Sequence, residues 1–193
     1  FPMRVNENTK LVGEKTILVP YMEKHVQKYH QWMEDDEIRR LTGSERLTME
    51  EEHEMQKSWR EDDDKLTFIV LDKETFDRSG DEISSMVGDV NIFVNPDGCE
   101  VEVMIAEELT RGRGLGREAV KGIIAYASQR LQLSNFLVKI TFDNIRSLSL
   151  FESFGFVRES SSQVFEEHTL VLPETALQPF KAYWETVREE PYC

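Results

Sequence analysis

The stretch Arg111-Gly112-Arg113-Gly114-Leu115-Gly116 decides how this sequence folds, because a predicted strand ends just before it and a predicted helix begins just after it. The strand, Cys99–Ile105, alternates apolar and polar residues, whereas the helix, residues 117–131, repeats apolar residues about every 3.6 positions. A helix N-terminus exposes backbone N–H groups without partners, and its dipole adds positive potential there. Strand, glycine-rich turn and helix therefore predict an anion site, to which Arg111, Arg113 and Arg117 add positive charge.

The spacing of the glycines narrows the choice of anion. Gly112, Gly114 and Gly116 are not spaced as in the dinucleotide-binding fingerprint, and no Gly-Lys-Ser/Thr ending of a P-loop follows them. Short glycine motifs also arise by chance, so the loop alone fits an arginine-rich turn without a ligand equally well. The order of the surrounding elements favours the anion site.

The rest of the pattern predicts a mixed α/β fold in one domain, residues 3–172. The predicted elements, in chain order, are a strand at 16–20, a helix from 22 to about 40, a helix after the capping box Thr48–Glu51, strands at 66–71, 86–93 and 99–105, the helix at 117–131, a strand at 136–140, a helix at 147–154, and a closing antiparallel pair at 156–159 and 164–172. The turn Asn95-Pro96-Asp97-Gly98 predicts antiparallel pairing of the strands beside it, and the strand–helix–strand order after it predicts a parallel crossover. Residues 173–193 are predicted to form a weakly helical C-terminal extension. Phe1 and Pro2 precede Met3 and are interpreted as a remnant of expression.

Composition excludes several classes of protein. With 39% apolar and 10% aromatic residues the chain is typical of a folded soluble domain, and no apolar run resembles a membrane span or a signal peptide. Two cysteines make no disulfide framework, which favours a reducing compartment, by default the cytoplasm, and four histidines show no metal-ligand spacing. The net charge of −14 argues against nucleic acid and favours a cationic partner, although an acidic surface more often serves solubility.

Two carboxylates share one face of the strand Cys99–Ile105. Glu100 and Glu102 alternate with apolar residues, so both point to the same side as Met104. Either carboxylate could act as a general base. The alternative is that they face solvent or pair with a neighbouring lysine or arginine.

Two motifs resemble the GCN5-related N-acetyltransferase (GNAT) superfamily. Arg111-x-x-Gly114-x-Gly116 matches its Q/R-x-x-G-x-G/A signature, and Asn144-Ile145-Arg146-Ser147 with Gly155-Phe156 looks like a downstream element of its ribosomal-protein branch. Within the superfamily, the segments 18–21, 68–72 and 101–107 are similar to N-acetyltransferase 9 proteins. The resemblance covers nearly the whole chain, from Ile17 to Leu172.

The resemblance implies a sheet splayed around acetyl-CoA, with no metal. The pantetheine arm would be held by residues at the end of the strand, Met104, Ile105 and Ala106. The pyrophosphate would be held by the loop and the start of the helix, Arg111, Gly112, Arg113, Gly114, Leu115, Gly116 and Arg117. The region near the thioester would be contacted by Asn144, Ser147 and Phe151. It further implies that Glu102 or Glu100 is the base, and that Tyr21, Trp32 and Glu37 lie near the acceptor. The implied acceptor is an amine of a protein, with tubulin the partner suggested by kinship.

Phe151 departs from the pattern of the superfamily. Many members have a tyrosine at this position as the proton donor to the departing thiolate, and phenylalanine has no proton to give. Ser147, a water molecule or no acid at all would then serve that step. Two other functions therefore remain open, an acetyl-CoA-binding module that stabilises a partner without turnover and an acetyltransferase for small amines.

Overall fold

The computed structural model describes residues 6–193, so the interpretation of Phe1 and Pro2 lies outside the described residues. Within this range the chain forms nine strands: β1 Thr9–Val12, β2 Thr16–Pro20, β3 Lys65–Asp72, β4 Met86–Asn95, β5 Gly98–Ile105, β6 Phe136–Thr141, β7 Val157–Ser162, β8 Glu167–Val171 and β9 Arg188–Pro191. Eight α-helices accompany them: α1 Val26–Met33, α2 Asp36–Thr42, α3 Met49–Glu61, α4 Lys73–Ser79, α5 Glu82–Ser85, α6 Leu115–Arg130, α7 Ile145–Ser153 and α8 Gln178–Trp184. The mixed α/β class is confirmed.

All nine strands join one sheet in the order β7-β8-β6-β5-β4-β3-β2-β1-β9. Neighbouring strands run antiparallel except β5 and β6, which are parallel and joined by α6 as predicted. One face packs on α6 and α8 through residues such as Val101, Tyr126 and Phe180, and the other packs on α1–α3 through residues such as Ile69 and Met104. The sheet therefore separates two cores, and any site on β5 has access to both faces.

The predicted helix from residue 22 to about 40 is wrong in one respect, because the chain breaks it into α1 and α2. Asp35 accepts hydrogen bonds from the backbone N–H groups of Glu37 and Ile38 and so caps α2. An aspartate that bonds its own backbone in this way competes with helix continuation. The capping box at Thr48 begins α3 as predicted.

Each end of the chain contributes a strand that the sequence did not predict, β1 and β9. β1 pairs with β2 and with β9, and the turn between β1 and β2 is held by the buried Glu118 of α6. The Glu118 carboxylate accepts hydrogen bonds from the backbone N–H groups of Glu14, Lys15 and Thr16 at 3.1, 2.8 and 2.6 Å. The segment after residue 172 forms α8 and β9, so it is integrated with the sheet and the core through Phe180.

Candidate functional site

The sheet opens between its two parallel strands. β5 and β6 are paired only at Cys99–Phe136 and Glu100–Leu137, although β5 stays paired with β4 as far as Ile105. Beyond Glu100, β5 therefore turns a row of backbone N–H and C=O groups toward an opening instead of toward a neighbouring strand. The glycine-rich loop begins directly beyond this end of β5.

A groove of 480 Å³, here called the loop groove, lies on one side of the opening. It is lined by the end of β5, the loop and first turn of α6, α7 with its cap, and part of α2: Val103, Met104, Ile105, Thr110, Arg111, Gly112, Gly114, Leu115, Gly116, Arg117, Asn144, Arg146, Ser147, Ser149, Leu150, Ser153, Ile38, Leu41 and Thr42. Most of the residues expected to hold a cofactor are thus brought together. Ala106, Arg113 and Phe151 are not part of this lining.

The loop itself forms a cradle of backbone donors. Gly112 and Gly114 have φ values of 78° and 85°, which only glycine adopts without strain. The backbone N–H groups of residues 115–117 find no acceptor within residues 6–193, and the first to donate is Glu118, to the Gly114 carbonyl at 3.0 Å. A Cβ on Gly116 would lie 3.2 Å from Ile105 Cγ1, so this glycine lets α6 approach β5 closely. A phosphate group fits this cradle.

The two arginines of the loop differ in their contacts. Arg111 donates to the carbonyl oxygens of Ile105 and Ala106 at 3.0 and 3.3 Å, so it fastens the loop to the end of β5. Arg113 is paired with Asp72 at 2.9 Å and Glu74 at 2.8 Å, which holds its charge away from the groove.

Two further arginines carry charge into the loop groove. Arg117 donates to Ser153 Oγ at 2.7 Å and stacks on Phe154, so it joins α6 to α7. Arg146 is exposed, and no ion pair holds it within the described part of the chain. Nothing in the glycine motif indicated Arg146, since its position depends on where α7 begins.

Asn144 and Ser147 stand at the junction of two grooves. Asn144 caps α7, and its Oδ1 accepts the backbone N–H of Ser147 at 3.1 Å. Both residues also line a second groove of 380 Å³, here called the carboxylate groove. Phe151 is buried against Phe156 and forms part of the wall of this second groove, so it lies on the acceptor side rather than in the loop groove.

The floor of the carboxylate groove is one face of the sheet. Cross-strand pairs place Asp89 beside Met104, Asn91 beside Glu102, and Phe93 beside Glu100. The predicted common orientation of the two glutamates is therefore confirmed. Trp59 of α3, residues 40–44 and residues 138–141 complete the walls.

The two glutamates have different environments. Glu100 is paired with Lys139 at 3.3 Å and accepts a hydrogen bond from Asn95 at 3.4 Å. This carboxylate is thus paired with a neighbouring lysine, the alternative to a role as the base. Glu102 makes no ion pair among the described residues and opens toward the groove. Glu102 is exposed at the groove, but the surrounding walls still desolvate its carboxylate, and this raises the pKa of Glu102 to about 7, against the opposing charge of Lys65. A carboxylate that titrates near neutral pH suits a general base.

A buried polar network that the sequence did not reveal supports this floor. Asp89 accepts hydrogen bonds from Tyr29 Oη at 3.2 Å and Asn91 Nδ2 at 2.8 Å, and Asn91 in turn accepts from Thr67 Oγ1 at 2.7 Å. Burial raises the pKa of the Asp89 carboxyl. The alternation of Asp89, Asn91 and Phe93 along β4 is the signal that could have indicated this face.

Tyr21, Trp32 and Glu37 line neither groove. Tyr21 and Trp32 are buried, and the Trp32 indole donates to Glu107 just beyond β5 at 2.9 Å. Glu37 lies on the surface and pairs with Arg40. These residues therefore support the N-terminal helices.

Residues 6–193 contain no group of three or more His, Cys, Asp and Glu side chains able to hold a metal ion. Among the same residues, no helix combines the length and apolarity that crossing a bilayer requires.

The comparisons with known proteins agree with this geometry. The model of the acetyltransferase (GNAT) domain matches residues 15–157. The chain belongs to the GNAT acetyltransferase family. As a GNAT protein it is an N-acetyltransferase that depends on acetyl-CoA.

Several GNAT relatives are similar over most of their length. The chain is 58% identical over 185 residues to an N-acetyltransferase 9-like protein of Caenorhabditis briggsae, covering 91% of each. It is 54% identical to the alpha/beta-tubulin-N-acetyltransferase 9 of Drosophila melanogaster, covering 90% of each, and 45% identical to that of Homo sapiens, covering 98% of this chain and 96% of the relative. The spermidine N-acetyltransferase of Vibrio cholerae, solved with CoA and spermine, has the same fold, with a TM-score of 0.69 at 17% identity over 82% of this chain and 94% of that one.

Proposed function

We propose that this enzyme transfers the acetyl group of acetyl-CoA to an amine of a protein, either an N-terminal amine or a lysine, and that tubulin is one such protein. One observation carries the proposal. The loop groove and the carboxylate groove meet at the opening between β5 and β6, where Met104, Asn144 and Ser147 line both. A donor in one groove and an acceptor in the other would thus face each other across shared walls.

The cradle of the loop fits the pyrophosphate of the donor on physical grounds. Donor groups at the positive end of α6 and the charges of Arg117 and Arg146 suit a phosphate, and the free backbone groups of β5 suit the amides of a pantetheine arm. Bound acetyl-CoA supplies a reactive thioester.

The chain's own residues supply the remaining parts of the reaction. Glu102 takes a proton from the ammonium group of the acceptor, because only a neutral amine attacks a carbonyl carbon. Backbone N–H groups at the end of β5 stabilise negative charge on the carbonyl oxygen. Phe151, on the wall of the carboxylate groove, has no proton to give. When the bond between the carbonyl carbon and sulfur breaks, Ser147 or a water molecule passes a proton to the thiolate, and the proton that the attacking nitrogen then loses replaces it.

The relatives support a protein acceptor, because two of them are named as acetyltransferases of α- and β-tubulin. The direct experiment incubates the purified enzyme with acetyl-CoA and peptides that carry the N-terminal sequences of α- and β-tubulin. Thiol release and a mass increase of one acetyl group on the peptide are expected. Normal CoA binding without thiol release for any peptide, including lysine peptides, would refute the proposal.

Phe151 favours a second candidate, an acetyl-CoA-binding module that acts without turnover. A binding module predicts that Glu102→Gln leaves the cellular effect unchanged, whereas an enzyme loses it. The carboxylate groove also favours a third candidate, an acetyltransferase for small amines. In that case free polyamines should be turned over at least as fast as peptides. With few cysteines and no disulfide framework in the sequence, we propose that the enzyme works in the cytosol.

A further inference from the structure

Lys65 is a buried lysine on the same face of the sheet as the carboxylate groove, although it does not line that groove. It begins β3 opposite Phe93, its residue is only 3% exposed, and its Nζ has no hydrogen-bond partner within residues 6–193. The Nζ lies 3.0 Å from the centroid of the Trp59 ring and 3.9 Å from that of Phe93. Ring faces attract a cation, so these two side chains hold the ammonium in place without a direct ion pair.

Carboxylates surround this lysine at longer range. Asp89 on β4 and Glu102 on β5 share its face of the sheet, and Asp62 follows the end of α3. Burial lowers the pKa of Lys65 to about 7, while the charges of Asp89, Glu102 and Asp62 raise it. An apolar side chain of the same length would fill the space without that desolvation cost, so packing alone does not account for an amine at this position.

A small cavity adjoins the lysine. It measures 20 Å³, which is enough for one water molecule, and Tyr21, Lys65, Thr67, Glu7 and Arg60 are among the residues that line it. Tyr21 Oη also has no hydrogen-bond partner among the described residues. Lys65 Nζ and Tyr21 Oη, both unpaired among the described residues, thus belong to side chains that line a cavity with room for a water molecule.

We propose that Lys65 is a positioning residue that acts through Glu102: its ammonium, held on Trp59 and Phe93, is the counter-charge that keeps Glu102 ionised near neutral pH. The inference rests on the proposed role of Glu102 as the base. The fraction of enzyme molecules with an ionised Glu102 then depends on the charge of Lys65, which does not line the carboxylate groove. Since the coupling is mutual, Glu102 must also hold Lys65 in its charged form.

The first test is the pH profile of kcat/KM. In Lys65→Met, the activity should begin to rise about one pH unit higher than in the wild type, because the positive charge that favours the ionised form of Glu102 is gone. Lys65→Arg keeps the charge and should restore the wild-type profile. An unchanged acid limb in a folded Lys65→Met enzyme, judged by circular dichroism and CoA affinity, would overturn the proposal.

The second test needs no activity. NMR of lysine labelled with ¹³C at Cε follows the titration of Lys65, and its signal is assigned by its loss in Lys65→Arg. We expect a pKa well below the ordinary lysine value of about 10.4, and a further decrease in Glu102→Gln, because the carboxylate that favours the ammonium is gone. An ordinary pKa, or one that Glu102→Gln leaves in place, would contradict the coupling. If no variant releases thiol, the proposed function fails, and this measurement still decides whether the two side chains interact.

Discussion

Replacement of Glu102 by glutamine tests the proposed chemistry most directly. The substitution preserves the size of the side chain at its position opposite Asn91, and it removes the ability to accept a proton. With a pKa of about 7, the carboxylate is ionised in about one-tenth of the molecules at pH 6 and about nine-tenths at pH 8. The base should therefore contribute roughly a tenfold rise in kcat/KM between these two pH values, since activity needs the ionised form.

The expected loss in Glu102→Gln follows from the usual contribution of general base catalysis. At pH 8, kcat/KM should fall by about 10² to 10⁴, equivalent to about 3–5 kcal/mol in the activation free energy. At pH 6 the loss should be about ten times smaller, because most wild-type molecules then carry a protonated Glu102. The ratio of wild-type to variant rates cancels the titration of the acceptor amine itself.

The assay is continuous thiol detection with a tubulin N-terminal peptide, at several pH values and saturating acetyl-CoA. The matched control is Glu100→Gln, two residues away on the same face, where Lys139 already pairs with the carboxylate. We expect the control to stay within about threefold of the wild type at both pH values. A Glu102→Gln enzyme that loses less than about fivefold, with a ratio independent of pH, would refute the assignment of this residue as the base.

Three other substitutions test the architecture around the site. Arg117→Ala should weaken CoA binding about 3- to 30-fold, and more so at low salt. Arg113→Ala should weaken CoA binding less, because Asp72 and Glu74 hold that side chain outside the groove. Calorimetry at two salt concentrations compares the CoA affinities of the two variants. Gly88→Ala should destabilise the fold by about 3 kcal/mol or more, because its Cβ would lie 1.8 Å from the Met104 carbonyl oxygen; a wild-type midpoint in urea would contradict this reading. Glu118→Ala leaves three backbone N–H groups of the β1–β2 turn without acceptors and should lower the free energy of unfolding by about 2–4 kcal/mol, measured by the same denaturation. Glu118→Gln keeps an acceptor oxygen and should recover part of the lost stability.

The sequence predicted the centre of the fold well, because its signals there are local. The turn before Gly98, the alternation of β5 and the apolar stripe of α6 each involve neighbouring residues, and together they located the parallel crossover and the phosphate cradle. The face shared by Glu100 and Glu102 followed from the two-residue period of a strand.

What the sequence could not reveal depends on contacts between distant residues. Arg113 belongs to the same motif as Arg111, but Asp72 lies 41 positions earlier in the chain and removes its charge from the groove. Likewise, only the register of β3, β4 and β5 brings Lys65 to the same face as Glu102, and no period within one strand indicates this. The strand β9 was missed because its pairing with β1 joins opposite ends of the chain.

The short pairing between β5 and β6 has a consequence for stability. Only two residues of β5 pair with two residues of β6, so the nine-stranded sheet is weakly joined between these two strands. A ligand arm that accepts and donates hydrogen bonds along the exposed edge of β5 acts as a short missing strand and ties the two halves together. The melting temperature should then rise with CoA concentration as linkage requires, and hydrogen exchange at residues 101–105 and 138–141 should slow more than elsewhere in the sheet. In this protein, the substrate would complete the secondary structure.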